Sequence, residues 1–378
     1  TVNGTVRQRN KGSWEIRYSP PADGTGRRKY FSETVRGTKS EAQAVLRDRI
    51  KAVETGNYVS KDNETVAEYM EAWLTTYAAT NTNLKTQQGY RGVIVRYIVP
   101  TLGSIKLQKL ATRQIQSLYS DMQRRGKGAS SVVATHRVLT EALGHAVESK
   151  IITTNVANGA KPPRVERKTM PMWNVSEINQ FLDATPHNHF FPVYHLAVLT
   201  GLRRSEIFGL KWDAVDLTGA TLRVVRTLQR ITGHGLVEGQ PKTDRSRRSI
   251  ALSPAAVALL HGVRGTQMEH KLDYGDLWSN TGFVFTQLDG SPIDPDRVSK
   301  EFPKLVRAEG LPHLTFHGLR HAHATLALSA GVNPKIVSER LGHSSISVTM
   351  DIYSHVLPGM QEEAALAVEQ LLDRPASG

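Results

Sequence analysis

Two arginines, a lysine, two histidines and a tyrosine in the second half of the chain could together break a phosphodiester without a metal ion. They are Arg203, Lys242, His317, Arg320, His343 and Tyr353. They sit in the segments TGLRRSE (200–206), PKTDRSRRSI (241–250), HGLRH (317–321) and LGHSSISVTMDIYSH (341–355). Attack by a phenol on a phosphodiester poses three problems. The phosphorane-like transition state gathers negative charge on its non-bridging oxygens. The phenol, with a pKa of about 10, must lose its proton. The leaving 5′ oxygen must gain one. Many nucleases meet these needs with two metal ions, but this chain has no carboxylate cluster in a recognisable metal motif.

Each residue type suits one of these tasks. Arg203 and Arg320 are the candidates for the non-bridging oxygens, because a guanidinium stays protonated and its planar fork makes two charge-assisted hydrogen bonds to phosphate. Arg203 follows Thr200-Gly201, which reads as a helix stop and a turn, so it falls on a connection or in the first turn of the next helix. Glu206, three residues on, reads as an acid that holds an arginine or caps local structure. His317 and Arg320 share one helix face, and His317 can act as general base toward Tyr353. Lys242, in the connection leading into RSIAL, can protonate the leaving oxygen. Arg245, Arg247 and Arg248 crowd the same stretch and also read as a phosphate-gripping loop. His343 follows Leu-Gly and can hydrogen-bond a non-bridging oxygen or steady the leaving group; it can equally be a cap or core residue. Tyr353 is the candidate nucleophile, at the end of a short helix whose Ile346, Val348 and Ile352 read as an apolar anchor. A metal reading stays open, since His317 and His321 have the spacing of two zinc ligands on a helix. It lacks a following Glu and any cysteine, and metal-free chemistry with no cofactor is the expectation.

These segments, with Thr349 and the Tyr353-Ser354-His355 ending, resemble the tyrosine recombinase (phage integrase) family at all six positions. The resemblance implies strand exchange without ATP or metal. Tyr353 would form a 3′-phosphotyrosine and free a 5′ hydroxyl, and a 5′ hydroxyl from a partner duplex would reverse the step. It also implies four protomers on two double-stranded DNA sites of core and arm type. The C-terminal amphipathic segment EEAALAVEQLL (362–372) would dock on a neighbouring subunit. An excisionase or host DNA-bending protein is a possible further partner, and a bacterial cytoplasm, in association with the nucleoid, the expected location. Two other classes remain. A type IB topoisomerase shares the chemistry, but the arm-like N-terminus and short chain favour a recombinase. A non-catalytic DNA-binding regulator would keep the basic front half and lose the constellation, whereas here all six positions are filled.

Positioning these residues needs several domains, which 378 residues can supply. The chain has no cysteine, which excludes disulfides and thiol nucleophiles. Its polar start, TVNGTVRQRN, is no signal peptide, and the apolar stretch near 190–202 contains His195 and is too short to span a bilayer. The net charge is +13, and all of the excess lies in the front half: residues 1–60 carry 12 Lys/Arg against 6 Asp/Glu, residues 61–165 carry 14 against 7, and the remainder 22 against 22. A basic front half points to a polyanion as partner; no membrane partner is expected, for want of a strongly basic amphipathic helix with an aromatic-rich face. The candidate DNA contacts are Arg7, Arg9, Arg27, Arg28, Lys29, Lys85, Arg91, Arg245, Arg247 and Arg248.

Patterning divides the chain into three domains. Residues 1–60 read as a small sheet plus a helix: Trp14, Ile16 and Tyr18 alternate, 29–35 resumes a strand, and 38–56 is helical with Ser40 as N-cap. Residues 61–165 read as all-helical, with breaks at 81–83, Pro100, Gly103 and 126–128. Residues 166–378 read as mixed α/β, mainly α. There, 220–230 and 248–252 are expected to form a hairpin and FVFT (283–286) a strand, with helices at 254–262, 294–309, 316–330, 334–341 and 345–353. By resemblance the three are an arm-binding, a core-binding and a catalytic domain.

Overall fold

Alternating apolar residues do form the first sheet. The computed structural model describes residues 4–19, 30–54, 63–166, 172–241, 246–343 and 345–353, with 366 and 369. Strands β1 (Gly4–Asn10), β2 (Ser13–Tyr18) and β3 (Phe31–Arg36) pair antiparallel in that order. Val6, Ile16 and Glu33 are in register on the face covered by α1 (Lys39–Glu54), where Glu33 meets Arg49 at 3.1 Å. The period of two sends Arg7, Arg17 and Arg36 to the opposite, exposed face. The cap of α1 is Thr38 rather than Ser40. Its hydroxyl accepts from the Glu41 amide at 3.3 Å, and the Glu41 carboxylate accepts from the Thr38 amide at 2.7 Å, a reciprocal pair that Ser40, already the second residue of the helix, is too late to make.

The chain divides into two units, Thr1–Arg167 and Lys168–Gly378. Within the first, a separate core gathers Val66, Trp73, Ile98, Leu118, Tyr119 and Leu143 from a set of helices. These are α2 (Val66–Trp73), continued through a π turn at Leu74–Ala78 into α3 (Ala79–Asn81); α4 (Leu84–Val93), continued through a π turn at Ile94–Ile98 into α5 (Val99–Leu102); α6 (Thr112–Arg124); and α7 (Ala129–Glu148). Pro100 does not break its helix as expected. The Val99 amide reaches five residues back to the Ile94 carbonyl, and this widened turn accommodates the residue without an N–H that follows.

The second unit is mainly helical around two small sheets. Its helices are α8 (Val175–Ala184), α9 (Phe191–Thr200), α10 (Arg204–Phe208), α11 (Pro254–Tyr274), α12 (Pro295–Ala308), α13 (Phe316–Ser329), α14 (Pro334–Leu341) and α15 (Ile346–Tyr353). Helix α9, apolar nearly all round, is buried through Val193, Tyr194, Leu196, Ala197 and Val198. Strands β4 (Val215–Asp216), β5 (Thr221–Val224) and β8 (Arg248–Ala251) form one sheet; β6 (Thr227–Ile231) and β7 (Gly235–Gly239) form a two-stranded hairpin. The expected hairpin is therefore half right. Residues 221–224 pair with 248–251, but 227–231 leave to pair with 235–239. The segment 283–286 makes only isolated bridges, Lys211 with Phe283 and Thr286 with Pro292; Gln267 of α11 donates to the Phe283 and Val284 carbonyls. Helix α11 also runs twelve residues beyond the expected end at 262, through Gly262 and Gly265, which do not stop it.

Candidate active site

The apolar α9 must stop where its carbonyls are needed, and Gly201 stops it. Gly201 adopts φ +66°, the left-handed turn that favours glycine. Two residues later Arg203 caps α10, and Glu206 in the first turn reaches back to it. The Glu206 carboxylate accepts from the Arg203 amide at 2.8 Å and from its Nη1 at 2.7 Å. The other arm of the fork, Nη2, donates to the Gly342 carbonyl at 2.5 Å. Arg320, on α13, donates from Nη1 to the Gly201 carbonyl and from Nη2 to the Leu341 carbonyl, both at 2.8 Å. Two guanidiniums from distant segments thus land on consecutive carbonyls at the end of α14, the negative end of that helix dipole.

The turn that follows carries the next group. Gly342 takes φ +68°, and the His343 amide closes the helix end on the Ser338 carbonyl at 3.0 Å. The His343 ring, through Nδ1, pairs with the Thr349 hydroxyl at 2.7 Å. Thr349 is fully buried in α15, whose last residue is Tyr353. The chain therefore runs from the carbonyls holding both arginines, through His343, into the helix that ends at the candidate nucleophile.

Behind this surface lies a second tier of charge. Arg248, at the start of β8, has a side chain only 7% exposed and forks onto both oxygens of Glu206, at 3.1 and 2.9 Å. Its Nε donates to the Arg340 carbonyl at 2.6 Å. The Arg340 guanidinium in turn donates to the Leu199 and Ala251 carbonyls and to Nε2 of His323, at 3.2, 3.0 and 3.2 Å. His323 pairs through Nδ1 with the Val198 carbonyl at 2.8 Å, which makes Nδ1 the protonated nitrogen and Nε2 the acceptor. Arg340 thereby ties α9, β8, α13 and α14 together around the site.

Electrostatics follow from this density of cations. For Glu206, burial pushes the carboxyl up, but the hydrogen bonds and charge of Arg248, then Arg203, outweigh it and hold the group below its ordinary value. His317 is exposed, yet enough protein crowds the ring that desolvation, then Arg320, Arg203 and Arg204, lowers its pKa. Desolvation, then Arg320 and Arg203, pushes His343 down to about 4. Both imidazoles are neutral near pH 7, as a proton acceptor must be.

Of the six candidates, Arg203, Arg320 and His343 are thus brought together, with His317 one turn from Arg320. Lys242 and the side chain of Tyr353 lie outside the described residues, as does Arg245. Arg204 is spoken for elsewhere, by Asp296 at 2.9 Å and Ser299 at 2.8 Å. Of the expected anchor of α15, Ile346 is exposed, and the side chains of Val348 and Ile352 lie outside the described residues; buried Thr349 pairs through its hydroxyl with His343. Among the described residues, no three His, Asp or Glu side chains group as metal ligands. Of the candidate DNA contacts, Arg7 is exposed, while Arg9 pairs with Glu15, Lys85 with Gln88, Arg91 with Glu71 and Arg247 with Gln240. Arg27, Arg28 and Lys29 lie outside the described residues. Arg248 is corrected: it is turned inward onto Glu206 and is no surface grip. Arg340 was not foreseen; the available signal was a basic residue in the last turn of a helix, where carbonyls need donors.

The phage integrase family matches residues 169–360, and the N-terminal SAM-like domain of phage integrases matches residues 65–123. A XerC-like tyrosine recombinase of Caldanaerobacter subterraneus subsp. tengcongensis is 30% identical over 354 residues, which span 89% of this chain and 90% of that protein. The ICEBs1 integrase of Bacillus subtilis is 27% identical over 287 residues, 75% of this chain and 77% of that one. In fold, the chain is similar to the Tn1549 transposon integrase in complex with circular intermediate DNA (TM-score 0.68, 20% identity, 82% of this chain and 99% of that one). It is also similar to lambda integrase in a tetramer bound to a Holliday junction (TM-score 0.58, 19% identity, 92% and 94%). A family match over half the chain, and a relative along nearly all of it, agree with the paired arginine forks: the chain belongs to the phage integrase family and is a tyrosine site-specific recombinase.

Proposed function

We propose that this recombinase integrates or excises a mobile element by cleaving double-stranded DNA with Tyr353, assisted by Arg203, Arg320, His317, His343 and Lys242. The observation that carries the reading is the convergence of Arg203 and Arg320 on the adjoining Gly342 and Leu341 carbonyls, one residue before His343. Two forks already aimed at neighbouring oxygen acceptors can exchange these for the two non-bridging oxygens of a phosphate. The phenol oxygen of Tyr353 attacks phosphorus and its proton passes to neutral His317. The bond to the 5′ oxygen breaks, Lys242 supplies that oxygen with a proton, and His343 hydrogen-bonds the phosphoryl group. A 5′ hydroxyl from another duplex reverses each transfer, so no ATP is consumed.

On this reading residues 166–378 cut, residues 61–165 grip the core-type site, and residues 1–60 hold an arm-type site. The exposed basic sheet face of Arg7, Arg17 and Arg36 favours the last assignment. Four protomers act on two sites, coupled through the segment 362–372. The test is covalent trapping on supercoiled plasmid and on nicked attachment-site duplexes, without Mg²⁺. A protein–DNA adduct at the 3′ phosphate is expected, lost in Tyr353→Phe. Cleavage that survives this substitution, or that needs a metal ion, overturns the assignment.

A further inference from the structure

We propose that Arg248 is a positioning residue that neutralises Glu206, so that the charge of Arg203 is left for the scissile phosphate. This rests on the reading above in which Arg203 contacts phosphate. Glu206 sits under both arginines, but they are not equivalent. The Arg203 side chain is 32% exposed and can meet a ligand, whereas Arg248 is 7% exposed and Glu206 2%. Glu206 orients Arg203 through its amide and Nη1. Left to itself, that carboxylate would also cancel the charge it orients, because a buried ion pair presents little net field to a third group. Arg248 removes the conflict: its fork covers both carboxylate oxygens. The trio then carries a net single positive charge, and the exposed member of it is Arg203.

The rest of Arg248 is held in place independently. Its Nε is fixed by the Arg340 carbonyl at 2.6 Å, and Nη1 also meets the Ser246 carbonyl at 3.1 Å. The fork is therefore aligned on Glu206 by the β8 strand and the end of α14, not by the carboxylate alone.

The test is a double-substitution cycle, read as the single-turnover rate of adduct formation on nicked attachment-site duplexes at saturating protein. Arg248→Met should slow the adduct roughly 100-fold, with Kd for the duplex changed less than about threefold. In the E206Q background the same Arg248→Met change should cost less than about fivefold, because no carboxylate remains to be neutralised. A packing role would carry its penalty into both backgrounds. Should R248M alone fail to fold, with Glu206 left buried and half-paired, comparison of E206Q with R248M/E206Q still decides. An undiminished penalty in the E206Q background, or adduct formation by R248M at the wild-type rate, overturns the proposal. The Arg203→Gln variant separates the two levels: if it reacts at the wild-type rate, the phosphate reading fails and takes this proposal with it. If it is slow while R248M is not, the proposal alone fails.

Discussion

Replacing Gly201 with alanine should damage the site through two separable effects. Gly201 lies at φ +66°, where a side chain costs roughly 1 kcal/mol or somewhat more. The new Cβ would also stand 2.6 Å from ring carbon Cδ2 of His323 and 2.6 Å from Cδ2 of Leu341. Neither neighbour is free to retreat. His323 is held by the Val198 carbonyl and by Arg340, and Leu341 is completely buried. Such overpacking costs about 1–3 kcal/mol, so G201A should lose ~2–4 kcal/mol of stability in urea unfolding. Gly233 provides the control, because it has φ +82° but nothing within 4 Å of its virtual Cβ. G233A should lose only the conformational part. Because the Gly201 carbonyl anchors Arg320, G201A should also slow adduct formation at least tenfold at temperatures where it remains folded, by the loss of an oriented fork. Equal stability losses in G201A and G233A, or an adduct rate unchanged in G201A, would refute the reasoning.

Three further outcomes are expected. Arg204→Ala breaks an ion pair with Asp296 that is about one-third exposed on both sides, so stability should change by less than about 1 kcal/mol and the adduct rate by less than about twofold; a loss as large as that of Arg203→Gln would exchange the roles of the two neighbours. His321 and His323 are both held near pKa 4, chiefly by burial, against an ordinary value of 6.5. The unfolded chain takes up their protons first, so stability is full above about pH 6.5 and falls as the pH drops toward 4, by on the order of 3 kcal/mol for each ring; denaturant midpoints that stay flat over that window would contradict the burial of the pair. Deleting residues 361–378 should spare binding to a single DNA site yet impair recombination between two, and full recombination by the truncated chain would remove the inter-subunit role of that segment.

The local part of the site was legible because its signals are local. Thr200-Gly201 announces a helix end, and Glu206 three residues after Arg203 announces a reciprocal cap. His317 and Arg320 share a turn, and the limits of α14 follow from Asn333-Pro334 at one end and Gly342 at the other. What escaped was set by tertiary pairing. Arg248 stands in a run of basic residues whose composition suggests a surface, but the pairing of β8 with β5 turns it toward a carboxylate 42 residues away. The break at Val225-Arg226 has a similar origin. Gly209, at the end of α10, packs so closely on Thr227 that an added Cβ would lie 2.6 Å from its Cα. That contact draws β6 out of line with β5. Pro100 was read as a break because a proline opposes an ordinary helical turn, whereas the π turn before it lets the helix continue.

The partners of the two forks are far apart along the chain: Arg203 and the carbonyl of Gly342 are separated by 139 residues. During synthesis at roughly 5–20 residues per second, Arg203 leaves the ribosome on the order of ten seconds before its acceptor has been made. Over that interval the growing polypeptide can already fold the basic front half and bind DNA, but the Arg203 fork has only Glu206 to align it and lacks its second acceptor. A chain still being translated can therefore occupy DNA without cutting it, and with Tyr353 as the proposed nucleophile strand breakage begins only with molecules finished through the end of α15.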